Sequence, residues 1–168
     1  MTKTPLPSSL ARTLGFALAG FLVVVDQSTK AWARAQLDEP VDLGPFLNLI
    51  LGFNRGVSFG LLSADGDAGR WLLVTVTGLI AAAMLVAIGR SRRQSMIFAL
   101  ALVAGGALGN IVDRVRSGAV TDFIDVHIGK AHWPTFNLAD AAIVLGVAAL
   151  IFLSARNARD DGAVEIRR

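Results

Sequence analysis

"WLLVTVTGLIAAAMLVAIG", residues 71–89, runs for 19 positions without a charged side chain and is bracketed by Arg70 and Arg90. At 1.5 Å per residue a helix of that length matches a hydrocarbon core of about 30 Å. The stretch reads as a membrane span, and it decides the fold class. A second uncharged run of 19, "QSMIFALALVAGGALGNIV" at 94–112, follows after a short basic turn. Upstream, Thr13 to Val25 gives 13 apolar or uncharged positions before Asp26, and helix-permissive sequence continues beyond. That span is complete if Asp26 and Lys30 lie near the far interface. A fourth begins at about Asn137 and ends before Arg156.

The composition agrees: 54% hydrophobic against 17% charged residues lies well off the profile of a soluble domain. The expected fold is therefore a mainly α membrane protein, one integral domain over 1–168 with four transmembrane helices at approximately 13–34, 70–89, 94–114 and 137–155. The outer segment, approximately 35–69, mixes Pro, Gly and short apolar runs with turn signals at Gly44-Pro45 and Asp65-Gly66. It predicts a small extramembrane sheet on the membrane surface, with a short interfacial helix in its later half. The last residues, approximately 157–168, predict a disordered tail.

Basic residues set the orientation. Lys3 and Arg12 precede the first span, Arg90, Arg92 and Arg93 fill the turn between the second and third, and Arg156, Arg159, Arg167 and Arg168 follow the fourth. By the positive-inside rule these segments are cytoplasmic, as are both termini. The net charge of +3 needs no nucleic acid to explain it, because the cations sit beside spans. A cleaved signal ending at "ARA", 33–35, is disfavoured by Asp26 and Lys30 in its cleavage region. The absence of cysteine excludes disulfides, thiol nucleophiles and cysteine-held metals. There is no internal repeat.

With this topology the outer ends of spans one, three and four lie in one layer, and their acids converge there. Asp26 and Lys30 are spaced i, i+4 and share a helix face; an interfacial ion pair ending the span explains them without any chemistry. In "GGALGNIVDR", 105–114, Asn110, Asp113 and Arg114 share a face, and Asp113 has a local partner in Arg114 or Asn110. Gly105, Gly106 and Gly109 allow close approach of another helix. Asp122 opens "DFIDVHIG" with no adjacent base, and spacing alone does not choose between it and Asp125; the latter also reads as a solvated loop acid. Asp140, in "FNLADAAI" at 136–143, has a structural explanation as an acid complementing a helix N-terminus.

Two carboxyls a few Å apart cannot both ionise cheaply, so one takes a proton from water while the other polarises a carbonyl. That is aspartic peptide hydrolysis. Other hydrolytic schemes lack parts, since no "HExxH" or "GxSxG" occurs, and His127 and His132, five apart in a loop, are a weak metal signature. A proton-coupled transporter would place ionisable groups near the bilayer midplane, and spans two and four carry none internally. A non-catalytic scaffold has no need of several acids in one layer. The "GxGD" class of intramembrane protease finds only "ADGDAG", 64–69, in the outer loop.

Five blocks in order, "VVVDQSTKAW", "FNRGVSFGLL", "GGALGNIVDR", "VTDFIDVH" and "FNLADAAI", resemble the bacterial lipoprotein signal peptidases, signal peptidase II, from about Gly15 to Ala155. The resemblance implies a four-helix aspartyl endopeptidase of the bacterial inner membrane with an extramembrane cradle and its site at the outer face. Its substrates would be diacylglyceryl-modified prolipoproteins, cut before the lipidated cysteine. Asp122 and Asp140 match the catalytic pair. Asn54, Asn110, Arg114 and Asn137 match positions that bind or position substrate; Asp26, Lys30, Gly106 and Asp113 match positions that support the site. It implies no metal or other cofactor, a monomer, and membrane lipids as neighbours.

The topology is tested by reporter fusions. A reporter after Arg93 or at Arg168 is expected to be cytoplasmic and one inserted near Asp65 external; an external C-terminus would invert the fourth span and overturn the convergence of the acids.

Overall fold

A computed structural model describes residues 7–56 and 67–165, and the side chains of these up to Arg156. Four helices are long and apolar enough to cross a membrane: α1 (Ser8–Gln36), α2 (Asp67–Arg90), α3 (Gln94–Ser117) and α4 (Leu138–Glu165). A short helix is expected in the later half of the outer segment, most of which, 57–66, lies outside the described residues. The backbone of α4 runs on past Arg156 to Glu165, into the stretch that composition alone assigns to a disordered tail.

α3 is the hub, packing against α1, α2 and α4. Its apolar window is 61% buried, against 11–17% for the other three, whose outward faces present Leu, Val, Ile and Phe. Apolar burial gives little driving force between helices in lipid, so close van der Waals approach must hold the bundle. α3 supplies it with Ala99, Ala101, Ala104, Gly105, Gly106 and Gly109, all buried. At Gly106 a Cβ would collide with the Ala139 carbonyl of α4, and at Gly109 it would lie 2.6 Å from Asp26 Oδ2 of α1. These two glycines set how near α1 and α4 come to the site's side of α3.

Beyond the helix ends lies one antiparallel sheet, ordered β1 (Val41–Asp42), β2 (Leu47–Asn54), β3 (Val120–Ile128), β4 (Ala131–His132). The register runs from Leu47 opposite Val126 to Asn54 opposite Val120, with a bulge between Leu49 and Gly52. The sheet is thus larger than the outer segment alone provides: half of it comes from the α3–α4 connection, which the sequence reading leaves as a loop. α3 ends at Gly118, left-handed at φ 77°, and the chain turns straight into β3. Arg70 of α2 caps that end by donating to the Arg114 and Val115 carbonyls at 2.7 and 2.6 Å. Phe136 then pairs with Ile124 through both backbone bonds, which lays the entry to α4 alongside β3. Ala33, Leu37 and Phe123 bury the junction between sheet and helices.

If the α3–α4 approach sets the geometry, its cost is measurable. Gly106→Ala is expected to destabilise by about 1–3 kcal/mol through overpacking, lowering the melting temperature in detergent. Gly78→Ala on α2, where a Cβ meets nothing within 4 Å, should be neutral or slightly stabilising through helix propensity. Equal melting temperatures for the two variants would refute the close-approach account.

Candidate active site

The acids expected to share one layer do gather at the sheet end of the bundle, but their partners differ from what spacing suggests. Asp26 and Lys30 do pair across one turn of α1, at 2.9 Å, and at 1% and 0% exposure the pair is fully buried inside the protein. Lys30 Nζ also lies 3.3 Å from Asp113 Oδ2 and donates to Asn110 Oδ1 at 2.9 Å. Among the described residues no hydrogen bond or ion pair joins Asp113 to Arg114 or Asn110, although the Asp113 charge reaches Arg114 through space. Its carboxylate accepts from Gln27 Nε2 at 3.0 Å and from the Thr121 backbone N–H at 2.9 Å, with Arg34 at 3.8 Å. Local spacing pointed to neighbours on α3, whereas these partners arrive from α1 and β3. Arg34 further donates to Thr121 Oγ1 at 2.6 Å, fixing the start of β3 against α1.

Asp140 does what an acid in a first helical turn is expected to do. The Asp140 N–H donates to Asn137 Oδ1 at 2.9 Å while Asp140 Oδ2 faces the Asn137 N–H at 3.4 Å, a reciprocal cap. Asp26 Oδ1 accepts from the Ala139 N–H at 3.1 Å, and Asn137 O from that of Ala141 at 3.2 Å. The Ala139 and Asp140 N–H groups, free donors of the first turn of α4, are thereby satisfied. The cap uses only one oxygen of Asp140; the other accepts from Asn110 Nδ2 at 2.7 Å.

Asp122 enters from β3 and is 2% exposed. Asn137 Nδ2 donates to Asp122 Oδ1 at 2.6 Å, so one residue touches both carboxyls. The Asn54 amide bonds the same Asp122 carboxyl while Asn54 Oδ1 accepts from the Gly56 N–H at 3.0 Å. Burial, followed by the negative charge of Asp140, pushes the Asp122 carboxyl up to about 6, against the hydrogen bonds from Asn137 and Asn54 and the field of Lys30. Two neighbouring acids therefore sit in unlike environments, the arrangement that separates a proton donor from a base. Arg114 closes the site from α3, donating to the Gly56 carbonyl at 3.2 Å with Asp140 and Asp122 in its field.

Asp125 is not a solvated loop acid. It is 2% exposed, on β3, and accepts from Asn48 at 3.1 Å and from His132 Nδ1 at 2.9 Å. Burial pushes its carboxyl up, but the bonds from His132 and Asn48 outweigh that and hold it below the usual range. It pins β2 and β4 to β3. His127 and His132 likewise belong to paired strands, with rings stacked at 5.0 Å. Sequence reasoning missed Gln27, Arg34 and Thr121, polar residues inside or beside apolar stretches, which was the signal available.

Beside Asp140 a groove of about 590 Å³ runs along α4, lined by Trp133, Pro134, Phe136, Ile143 and Val144 among others. It is mostly apolar and flanks the helix where its lipid-side residues begin. The site thus offers two carboxyls, several amide donors, one guanidinium and an apolar channel leading away.

Comparison with known proteins places this arrangement. The sequence model described as signal peptidase (SPase) II matches residues 18–156. The chain is 44% identical over 156 residues to the lipoprotein signal peptidase of Methylobacterium sp. (strain 4-46), covering 90% of this chain and 94% of that protein. It is 46% identical over 149 residues to that of Rhizorhabdus wittichii, covering 85% and 86%. A solved structure described as a bacterial membrane enzyme superposes with a TM-score of 0.78 at 30% identity, over 88% of this chain and 91% of that one. Blocks read from the residues, a four-helix bundle carrying a sheet and near full-length identity above 40% agree: the chain belongs to the signal peptidase II family.

Proposed function

We propose that the chain is a single integral membrane peptidase domain that removes the signal peptide from prolipoproteins, using Asp122 and Asp140 as its catalytic pair. One observation carries the choice of residues: Asn137 bonds both carboxyls, and Asp140 of that pair lines the apolar groove. Its relatives, lipoprotein signal peptidases, supply the reaction.

The hydrolysis balances with a water and these two acids. Asp140, ionised, takes a proton from the water as its oxygen attacks the scissile carbonyl carbon; Asp122, protonated, donates to the carbonyl oxygen. When the tetrahedral intermediate collapses, the C–N bond breaks and the proton held by Asp140 passes to the leaving nitrogen. Asp122 recovers its proton from the new carboxyl end. Asn54, Asn110, Arg114 and Asn137 position carboxyls and peptide; Asp26, Lys30, Gly106 and Asp113 support them. The groove beside Asp140 suits an acyl chain, in keeping with diacylglyceryl-modified substrates cut just before the lipidated cysteine. The cluster Arg90, Arg92 and Arg93 lies at the opposite end of α3 from the sheet, which supports cytoplasmic termini and a site on the outer face of the bacterial inner membrane.

Asn at either acid keeps shape and hydrogen bonding but removes the proton transfer. Asp122→Asn and Asp140→Asn are each expected to lose about a thousandfold or more in cleavage, with the double variant little worse because the pair acts as a unit. Substantial cleavage by a folded Asp140→Asn protein would refute the pair. Stability supplies an independent check. The folded Asp122 carboxyl titrates at about 6, above its ordinary 3.8, so its contribution is full below 3.8 and is lost as pH rises through 6. Asp122→Asn lacks that loss. Its melting temperature relative to the parent should therefore climb between pH 4 and pH 6 and then level off; a constant difference would contradict the raised carboxyl.

Lipid dependence follows from the groove. Each buried methylene is worth about 0.8 kcal/mol, so losing even two of them costs about tenfold. An unlipidated precursor is expected to be cut at least about tenfold more slowly by the purified protein; equal rates would remove the groove from substrate recognition.

A further inference from the structure

Lys30 touches neither Asp122 nor Asp140 by any hydrogen bond or ion pair among the described residues, yet it is wholly buried and one residue, Asn110, away from Asp140. An ammonium has three N–H donors and no lone pair, so every atom it meets must be an acceptor. It meets three: Asp26 Oδ2 at 2.9 Å, Asp113 Oδ2 at 3.3 Å and Asn110 Oδ1 at 2.9 Å. Two are carboxylates that balance its charge. The third is a neutral amide with two different ends, and Lys30 admits only the oxygen end.

That choice decides what faces Asp140. With Oδ1 turned to Lys30, Asn110 has only its NH₂ left for the other side, and Nδ2 donates to Asp140 Oδ1 at 2.7 Å. Asn137 strengthens the lock, since its Nδ2 also approaches Asn110 Oδ1 at 3.3 Å. A flipped Asn110 would set NH₂ against the ammonium and an oxygen against the carboxylate, unfavourable at both ends. The cation also polarises the amide it holds, which makes Nδ2 a better donor. We infer that Lys30 is a positioning residue for the peptidase reaction: by fixing and polarising the Asn110 amide it keeps a strong donor on Asp140 Oδ1 and so holds Asp140 as the base of the pair.

This rests on the reading of Asp122 and Asp140 as the catalytic pair. The charged groups around Asp140 are Asp122 from β3, Arg114 from α3 and Lys30 from α1. Lys30 differs from the other two in acting through an intervening amide, and that distinction is open to experiment.

The test is the pH profile of cleavage of a diacylated prolipoprotein by the purified full-length protein. Lys30→Met removes the donors at similar length; Asn110→Leu removes the amide at similar shape. Without the held donor Asp140 protonates more readily, so the acid limb of the profile should move to higher pH in both variants. The expected displacement is about one pH unit, a roughly tenfold loss at a fixed pH on that limb, as for one hydrogen bond to a charged group. Because both act through one amide, the Lys30→Met/Asn110→Leu protein should move no further than either alone. Should Lys30→Met fail to fold, Lys30→Met/Asp26→Asn replaces it, removing both members of the buried pair so that neither is left uncompensated. A folded Lys30 variant whose acid limb stays in place, whatever its melting temperature, would show that Lys30 is only a structural counter-ion. Additive displacements in the double variant would show that its field acts directly on Asp140 and not through Asn110; either result overturns the inference. Failure of the catalytic pair itself would appear separately, as cleavage by Asp140→Asn.

Discussion

A buried ammonium in a membrane protein has to be surrounded by acceptors, and much of this molecule is arranged around that demand. Lys30 draws Asp26 from its own helix, and Asp113 and Asn110 from α3, into contact at one depth. An ion removed from water costs several kcal/mol unless neighbours replace its hydration. The replacements are not idle: Asp26 also takes the Ala139 N–H of α4, Asp113 takes the Thr121 N–H of β3, and Asn110 reaches Asp140. Two ligands of the ammonium therefore grip α4, and the third grips β3. The three helices of the site and the strand that carries Asp122 are indexed to one nitrogen atom.

The two explanations open for Asp140, a helix cap or a working acid, turn out to be compatible. A carboxylate has two oxygens with room for several donors. One closes the reciprocal cap with Asn137, and the other accepts from Asn110. The cap gives the acid a fixed orientation without a separate device. Asp122 and Asp125 also separate cleanly once β3 is recognised. Three positions apart on a strand, they point to opposite faces. Asp122 joins Asn137 and Asn54, and Asp125 joins Asn48 and His132.

The spans were legible because uninterrupted apolar runs have no competing explanation, and the Asp26–Lys30 pair because i, i+4 contacts lie within one helix. β3 was not, although Ile124 to Ile128 alternates apolar and polar side chains and carries the strand signal openly. Its partner β2 lies on the far side of two membrane spans, and no local pattern announces a pairing at that distance. The same limit hid the partners of Asp113. Choosing Asp122 over Asp125 required the family resemblance, since both are acids in the same nine-residue strand.

The pairing of β2 with β3 has a consequence for biogenesis. β2 leaves the ribosome early, but its hydrogen-bonding partner emerges only after α2 and α3. Until then β2 presents an unpaired edge, and the junction of Ala33, Leu37 and Phe123 lacks its aromatic member. Closing so long a loop makes the sheet a late event in the life of the nascent chain. The carboxyl on β3 and the one on α4 thus enter their places together, after most of the bundle has been inserted. A half-made chain holds membrane helices without the sheet, so the layer that gathers Asp122 and Asp140 is completed only with the last helix of the bundle.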